Sequence, residues 1–146
     1  EPEIHPNTGT IGRLCHSLDL SLHLVEPLGF TLDNRALKRA GLDYWNDLKP
    51  SIWPSLESCL ESSGKDASKF FLTTKSDHEY WSAEFQAGDY LIFGPETRGL
   101  PESLLQRYEE TALTIPQTRG RSLNLAVSVA MVVAEATRQI RLQAGA

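Results

Sequence analysis

Leu91-Ile92-Phe93-Gly94-Pro95-Glu96-Thr97-Arg98-Gly99-Leu100-Pro101 is the stretch that decides the fold. Its apolar start predicts a strand over 89–93. Two glycines and two prolines then make a stiff loop open to close backbone approach, and Pro101 suits the first turn of a short helix to about Arg107. Working outward, Lys69 to Thr73 and Thr111 to Ile115 read as further strands, and Leu20 to Val25 as another, ended by Pro27 and Gly29. Between them the pattern predicts helices: from about Gly9 to Leu18, capped by Asn7 or Thr8; over Asp33 to Gly41; and from a Ser51-Ile52-Trp53-Pro54 lead-in through Leu60. The stretch from Ser76 to Gln86 is open between helix and loop. Leu123 to Leu142 is apolar on nearly every face through three turns, which predicts a buried helix. Alternating strands and helices make an α/β fold with a mostly parallel sheet.

In such sheets ligands gather where strands end. Three strand ends carry unusual loops: 72–75, 93–101 and 115–122. They contain neither G-x-G-x-x-G nor G-x-x-x-x-G-K-[ST], which disfavours an ordinary dinucleotide or P-loop site. His5, His16, His23 and His78 show no ligand spacing, and G-x-S-x-G is absent. What remains is metal-free binding of a nucleotide-like ligand by loops.

At 146 residues and 40% apolar composition, the chain reads as one domain, 1–146. Cys15 and Cys59 stand far apart, which fits a reducing, cytoplasmic setting. The apolar stretch 123–134 falls short of the roughly 20 residues that span a bilayer, so no membrane association is expected. A net charge of −5 argues weakly against nucleic acid, yet Arg35, Lys38 and Arg39 share one predicted helix face and form a local basic patch.

The opening Pro2-Glu3-Ile4-His5-Pro6-Asn7-Thr8-Gly9-Thr10-Ile11-Gly12-Arg13, the run 91–101, and Ile115-Pro116 followed by Arg121-Ser122-Leu123-Asn124-Leu125 resemble, in order, three motifs of the SPOUT methyltransferase superfamily. The runs 25–30 and 39–44 resemble its TrmL-type branch, the tRNA wobble 2'-O-methyltransferases. This resemblance covers nearly the whole chain. It implies a C-terminal trefoil knot, helices on both sheet faces, and a homodimer in which one subunit's donor pocket faces the other's arginine. It implies S-adenosyl-L-methionine as methyl donor, S-adenosyl-L-homocysteine as product, and the tRNA anticodon stem-loop as partner, with the ribose 2'-hydroxyl of nucleotide 34, cytidine or uridine, as acceptor. The family's short apolar strand is expected before the Glu-Pro-Glu run and lies outside this sequence.

By the same resemblance, Leu72, Gly94, Ile115 and Ser122 match donor-binding positions, with Leu123 beside them. Arg13, supported by Asn7 and Asn124, is the candidate catalytic residue. Because guanidinium groups keep their proton in proteins, the reading assigns Arg13 a grip on the phosphate beside the target ribose and on the developing 2'-oxyanion. Asn124, opening an apolar helix, either braces the knot loop or orients the ribose. Glu96 and Gly99 brace the second loop, while Arg98, Arg119 and Arg121 join Arg35, Lys38 and Arg39 as candidate RNA contacts. Trp45, Trp53 and Trp81 read as packing residues. Ala126 and Ala134 replace residues with polar groups in the family, so an inactive tRNA- or cofactor-binding homologue stays open, as does action at another tRNA or rRNA site.

Overall fold

The computed structural model describes residues 1–32, 44–120 and 122–145. The predicted helix over 33–41, with Arg35, Lys38 and Arg39, lies outside them, as does Arg121. The chain divides into two compact units, 1–64 and 65–146.

In the first unit, α1 spans His5–Ser17, β1 His23–Val25, α2 Trp45–Leu48, β2 Ser51–Trp53 and α3 Leu56–Glu61. Strands β1 and β2 pair in parallel, with Leu24 opposite Ile52. Helix α1 starts earlier than the sequence predicts. Pro6 sits in its first turn, where its fixed φ is already helical and no N–H is missed. Asn7 and Thr8 are therefore buried inside the helix rather than capping it. Along α1, Gly12 lets Trp45 approach: a Cβ there would meet the indole ring at 2.8 Å. Tyr44 donates its hydroxyl to the Gly9 carbonyl. The strand at Ser51–Trp53 is a correction to the expected helix lead-in. Three residues are too few to show a period, and only the β1 ladder makes them a strand. Ser55 then caps α3, accepting from the Ser58 N–H at 3.1 Å, a bond that typically contributes about 1 kcal/mol.

The second unit contains β3 (Lys69–Leu72), a 3-10 turn (Tyr80–Ser82), β4 (Tyr90–Phe93), α4 (Glu102–Arg107), a second 3-10 turn (Glu109–Thr111), β5 (Ala112–Leu113) and α5 (Leu125–Gln143). The sheet order is β4-β3-β5, and both pairings are parallel. β3 is central, which accounts for its unbroken Phe70-Phe71-Leu72 run: a strand covered on both faces gains nothing from alternation. Phe71 and Phe85 are 0% and 1% exposed, and burying each contributes about 1.5–3 kcal/mol. Phe70 meets Phe85 edge-on, ring centroids 4.9 Å apart.

The 76–86 stretch resolves into an irregular segment with one 3-10 turn. Beside β5, the Thr114 N–H donates to the His78 carbonyl and the Tyr80 N–H to the Thr114 carbonyl. Gln139 of α5 clamps the rest, accepting from the Phe85 N–H at 2.8 Å and donating to the Ala83 carbonyl at 2.9 Å.

Helix α5 is only half buried within the chain, a second correction. Val129, Val132, Val133 and Ala136 face the core, whereas Val127 is 49% and Met131 37% exposed. The all-round apolar pattern predicts burial on every face, but within the chain only one face is covered. None of the described helices is long and apolar enough to cross a membrane.

Candidate functional site

Parallel pairing puts the carboxyl ends of β3, β4 and β5 at one edge of the sheet, so the loops after them converge. They enclose a cleft of about 320 Å³, at the lower end of the range for small-molecule sites. Leu72, Gly94, Ile115, Ser122 and Leu123 all line it, together with Glu96, Arg98 and Gly99. Residues from three separate strand-end loops thus meet in one cavity.

Two glycines shape its middle loop. Gly99 has φ +67°, a left-handed conformation costly for other residues, and its N–H returns to the Pro95 carbonyl at 3.0 Å. This turn presses the loop back on its own start. A Cβ on Gly94 would lie 2.4 Å from the Gly99 carbonyl carbon and the Leu100 nitrogen. Backbone meets backbone there, so no rotamer change relieves the overlap. On the β3 side, the Thr73 N–H extends the ladder to the Leu113 carbonyl, and the Thr73 hydroxyl accepts from the Lys75 N–H at 3.1 Å.

Thr73, Thr74, Lys75 and Gln117, from the loops the sequence marks, and Ser128, from the helix, also line the cleft, although none is among the expected site residues. The signal for Ser128 is its spacing. It lies four residues after Asn124, one helical turn on, and its hydroxyl donates to the Asn124 carbonyl at 3.1 Å. Asn124 itself is exposed and caps α5, its side-chain oxygen accepting from the Val127 N–H at 3.2 Å. This bond satisfies the first turn of the helix.

The other candidates lie elsewhere. Arg119 is exposed in the bend before Gly120 and does not line the cleft. Arg13 is exposed on α1 and Asn7 is buried in its first turn. Both belong to the first unit, whereas every residue lining the cleft belongs to the second. Among the described residues, no three His, Cys, Asp or Glu side chains gather as metal ligands would.

A cleft walled by Leu72, Ile115 and Leu123, floored by a glycine that admits no side chain, and edged by threonine and serine hydroxyls fits an adenosyl group. Lys75, Glu96 and Arg98 add charge to a lining otherwise made of apolar and small polar residues. Over residues 1–134 the chain matches the model of the SpoU rRNA Methylase family, and it belongs to that family. Within that class its similarity is more specific. It is 47% identical over 146 residues to the tRNA (cytidine(34)-2'-O)-methyltransferase of Photorhabdus asymbiotica, covering 96% of this chain and 90% of that one. A solved structure bearing on 2'-OH methylation of C/U34 on tRNA superposes with a TM-score of 0.87 at 44% identity, over 94% of this chain and 90% of that one. The AdoMet complex of the SpoU methyltransferase AviRb from Streptomyces viridochromogenes shares the fold, with a TM-score of 0.80 at 20% identity, over 98% of this chain and 58% of that one.

Proposed function

We propose that this chain transfers a methyl group to the ribose 2'-hydroxyl of nucleotide 34 of a tRNA, and that its donor, S-adenosylmethionine, binds in the cleft of the second unit. The observation that carries the reading is the gathering of Leu72, Gly94, Ile115, Ser122 and Leu123 around one cavity, joined to near-full-length similarity to enzymes of that activity. The donor supplies an electrophilic methyl on a sulfonium. The protein's task is alignment, which can supply about 7–11 kcal/mol of the barrier for well-oriented reactants.

Backbone groups of the 93–100 loop and the walls formed by Leu72 and Ile115 hold the adenosyl group without stabilising the sulfonium charge. That charge disappears during transfer, so favouring it in the ground state would raise the barrier. Arg13 grips the phosphate next to the target ribose and stabilises the developing 2'-oxyanion, while the hydroxyl proton passes to a phosphate oxygen or to water. Asn7 lies on the same helix as Arg13 and completes the catalytic group, and Arg98, Arg119 and Arg121, with Arg35, Lys38 and Arg39, meet backbone phosphates of the anticodon stem-loop.

The active form is a homodimer. The exposed apolar face of α5, including Val127 and Met131, is the surface such an assembly covers. Residues 1–146 act as one methyltransferase domain with the knotted arrangement of its class, working in the cytoplasm, without a metal.

The full chain incubated with labelled methyl donor and total tRNA, followed by mapping of the labelled nucleotide, tests this. Label on the 2'-oxygen of nucleotide 34 is the expected result. Label at another nucleotide refutes the assigned position, and RNA binding with no label refutes the activity.

A further inference from the structure

The three tryptophans do not behave alike. Trp45 is buried, and Trp53 is half-buried and donates its indole N–H to His23 Nδ1 at 2.9 Å. Trp81 is 51% exposed, so the packing role expected from sequence does not hold for it. Leaving so large an apolar ring in water forgoes much of the stabilisation its burial would contribute.

Its place in the fold is informative. Glu79 bridges Thr114 in parallel register, so the 78–80 segment runs alongside β5 toward the same sheet edge as the cleft. The Tyr80 N–H donates to the carbonyl of Thr114, the residue before Ile115, which lines the cleft, and Trp81 follows directly in the 3-10 turn. The ring is also held: its Nε1–H donates to Glu79 Oε2 at 2.5 Å, and it leans on Tyr80, ring centroids 5.3 Å apart. A carboxylate on the indole edge repels phosphate and leaves the ring face as the usable surface. That favours an uncharged, planar ligand over an RNA backbone.

We infer that Trp81 is a stacking platform for an unpaired base of the RNA whose ribose is methylated, and so a specificity-determining residue beside the donor cleft. Loop nucleotides offer such bases, and aromatic side chains are the usual surfaces that receive them. This rests on the reading that an RNA ribose enters the cleft.

The test compares Trp81→Ala and Trp81→Phe in the full chain, using an anticodon stem-loop RNA as substrate. Trp81→Ala should raise the KM for RNA about tenfold and leave kcat and donor affinity within about twofold. Trp81→Phe should restore most of the loss. RNA should quench indole fluorescence in the wild type and much less in Trp81→Phe. A substrate made abasic at the stacked nucleotide should bind both forms equally. An unchanged KM in Trp81→Ala, or equal quenching in wild type and Trp81→Phe, overturns the proposal. So does a shift of oligomeric state in Trp81→Ala, which would give the ring to a subunit contact. Should the wild type methylate no RNA, the assigned activity fails, while fluorescence quenching still decides the stacking role.

Discussion

The two compact units carry their candidate chemistry in opposite ways. In the second, the site is a matter of backbone: a left-handed Gly99, a Gly94 with no room for a Cβ, and loop ends brought together by parallel pairing. In the first, it is a matter of side chains on one helix, Arg13 exposed and Asn7 buried. The contrast teaches what each unit should tolerate. The second should fail when atoms are added to its loops, and the first when a functional group is removed.

The largest effect should come from removing the guanidinium. Arg13→Ala is expected to lower kcat by about 10²–10³, the usual loss when an oxyanion partner is deleted, with donor affinity by calorimetry unchanged. Arg13→Lys keeps a charge but not the fork and should recover little. Near-normal turnover with a shifted pH profile in that variant would instead point to a titrating base. Next, Gly94→Ala should weaken donor binding roughly 10- to 100-fold, in line with the 1–3 kcal/mol that overpacking costs. A Gly94→Ala protein that binds the donor normally would break the contrast between the units.

Smaller effects sharpen it. Gln139→Ala leaves the Phe85 N–H and the Ala83 carbonyl without this partner and should cost about 1–3 kcal/mol in urea unfolding, with the activity of the folded protein retained. Asn124→Ala should cost about 1 kcal/mol as a lost cap. A hundredfold drop in kcat there, at normal stability, would move Asn124 from bracing to catalysis. The smallest effect concerns pH. Burial holds the His23 imidazole below its ordinary 6.5, so the folded chain takes up that proton less readily than the unfolded one. Its contribution is full above about 6.5 and declines as pH falls from there toward the lowered value. The urea midpoint should fall between pH 7 and pH 5.5, and fall less in His23→Gln.

The second unit was the more legible in sequence, for a physical reason. Loops that require Gly94, Pro95, Gly99 and Pro101 announce themselves by residue type, and the apolar Phe70-Phe71-Leu72 run, bounded by the polar Lys69 and Thr73, reads as a strand. The first unit hid its features in non-local context. Ser51–Trp53 is a strand only because β1 lies beside it, and Asn7 and Thr8 resemble caps until Pro6 draws the helix start back to His5. Helix α5 misled differently. Val127 and Met131 belong to the same apolar pattern as Val132, yet only the latter's face meets the sheet. Trp81 could not be separated from Trp45 by composition, because exposure is a property of the fold. Among the lining residues, Thr73, Thr74 and Lys75 were visible as a strand end but carried no mark of their own.

Crystals of the full chain grown with S-adenosylhomocysteine test the central claim most directly. The account predicts the nucleoside against Leu72, Gly94, Ile115 and Ser122, with the 93–100 loop closed over it through the Gly99 turn. Density for it at any other place, with that cleft filled only by water, would contradict the account.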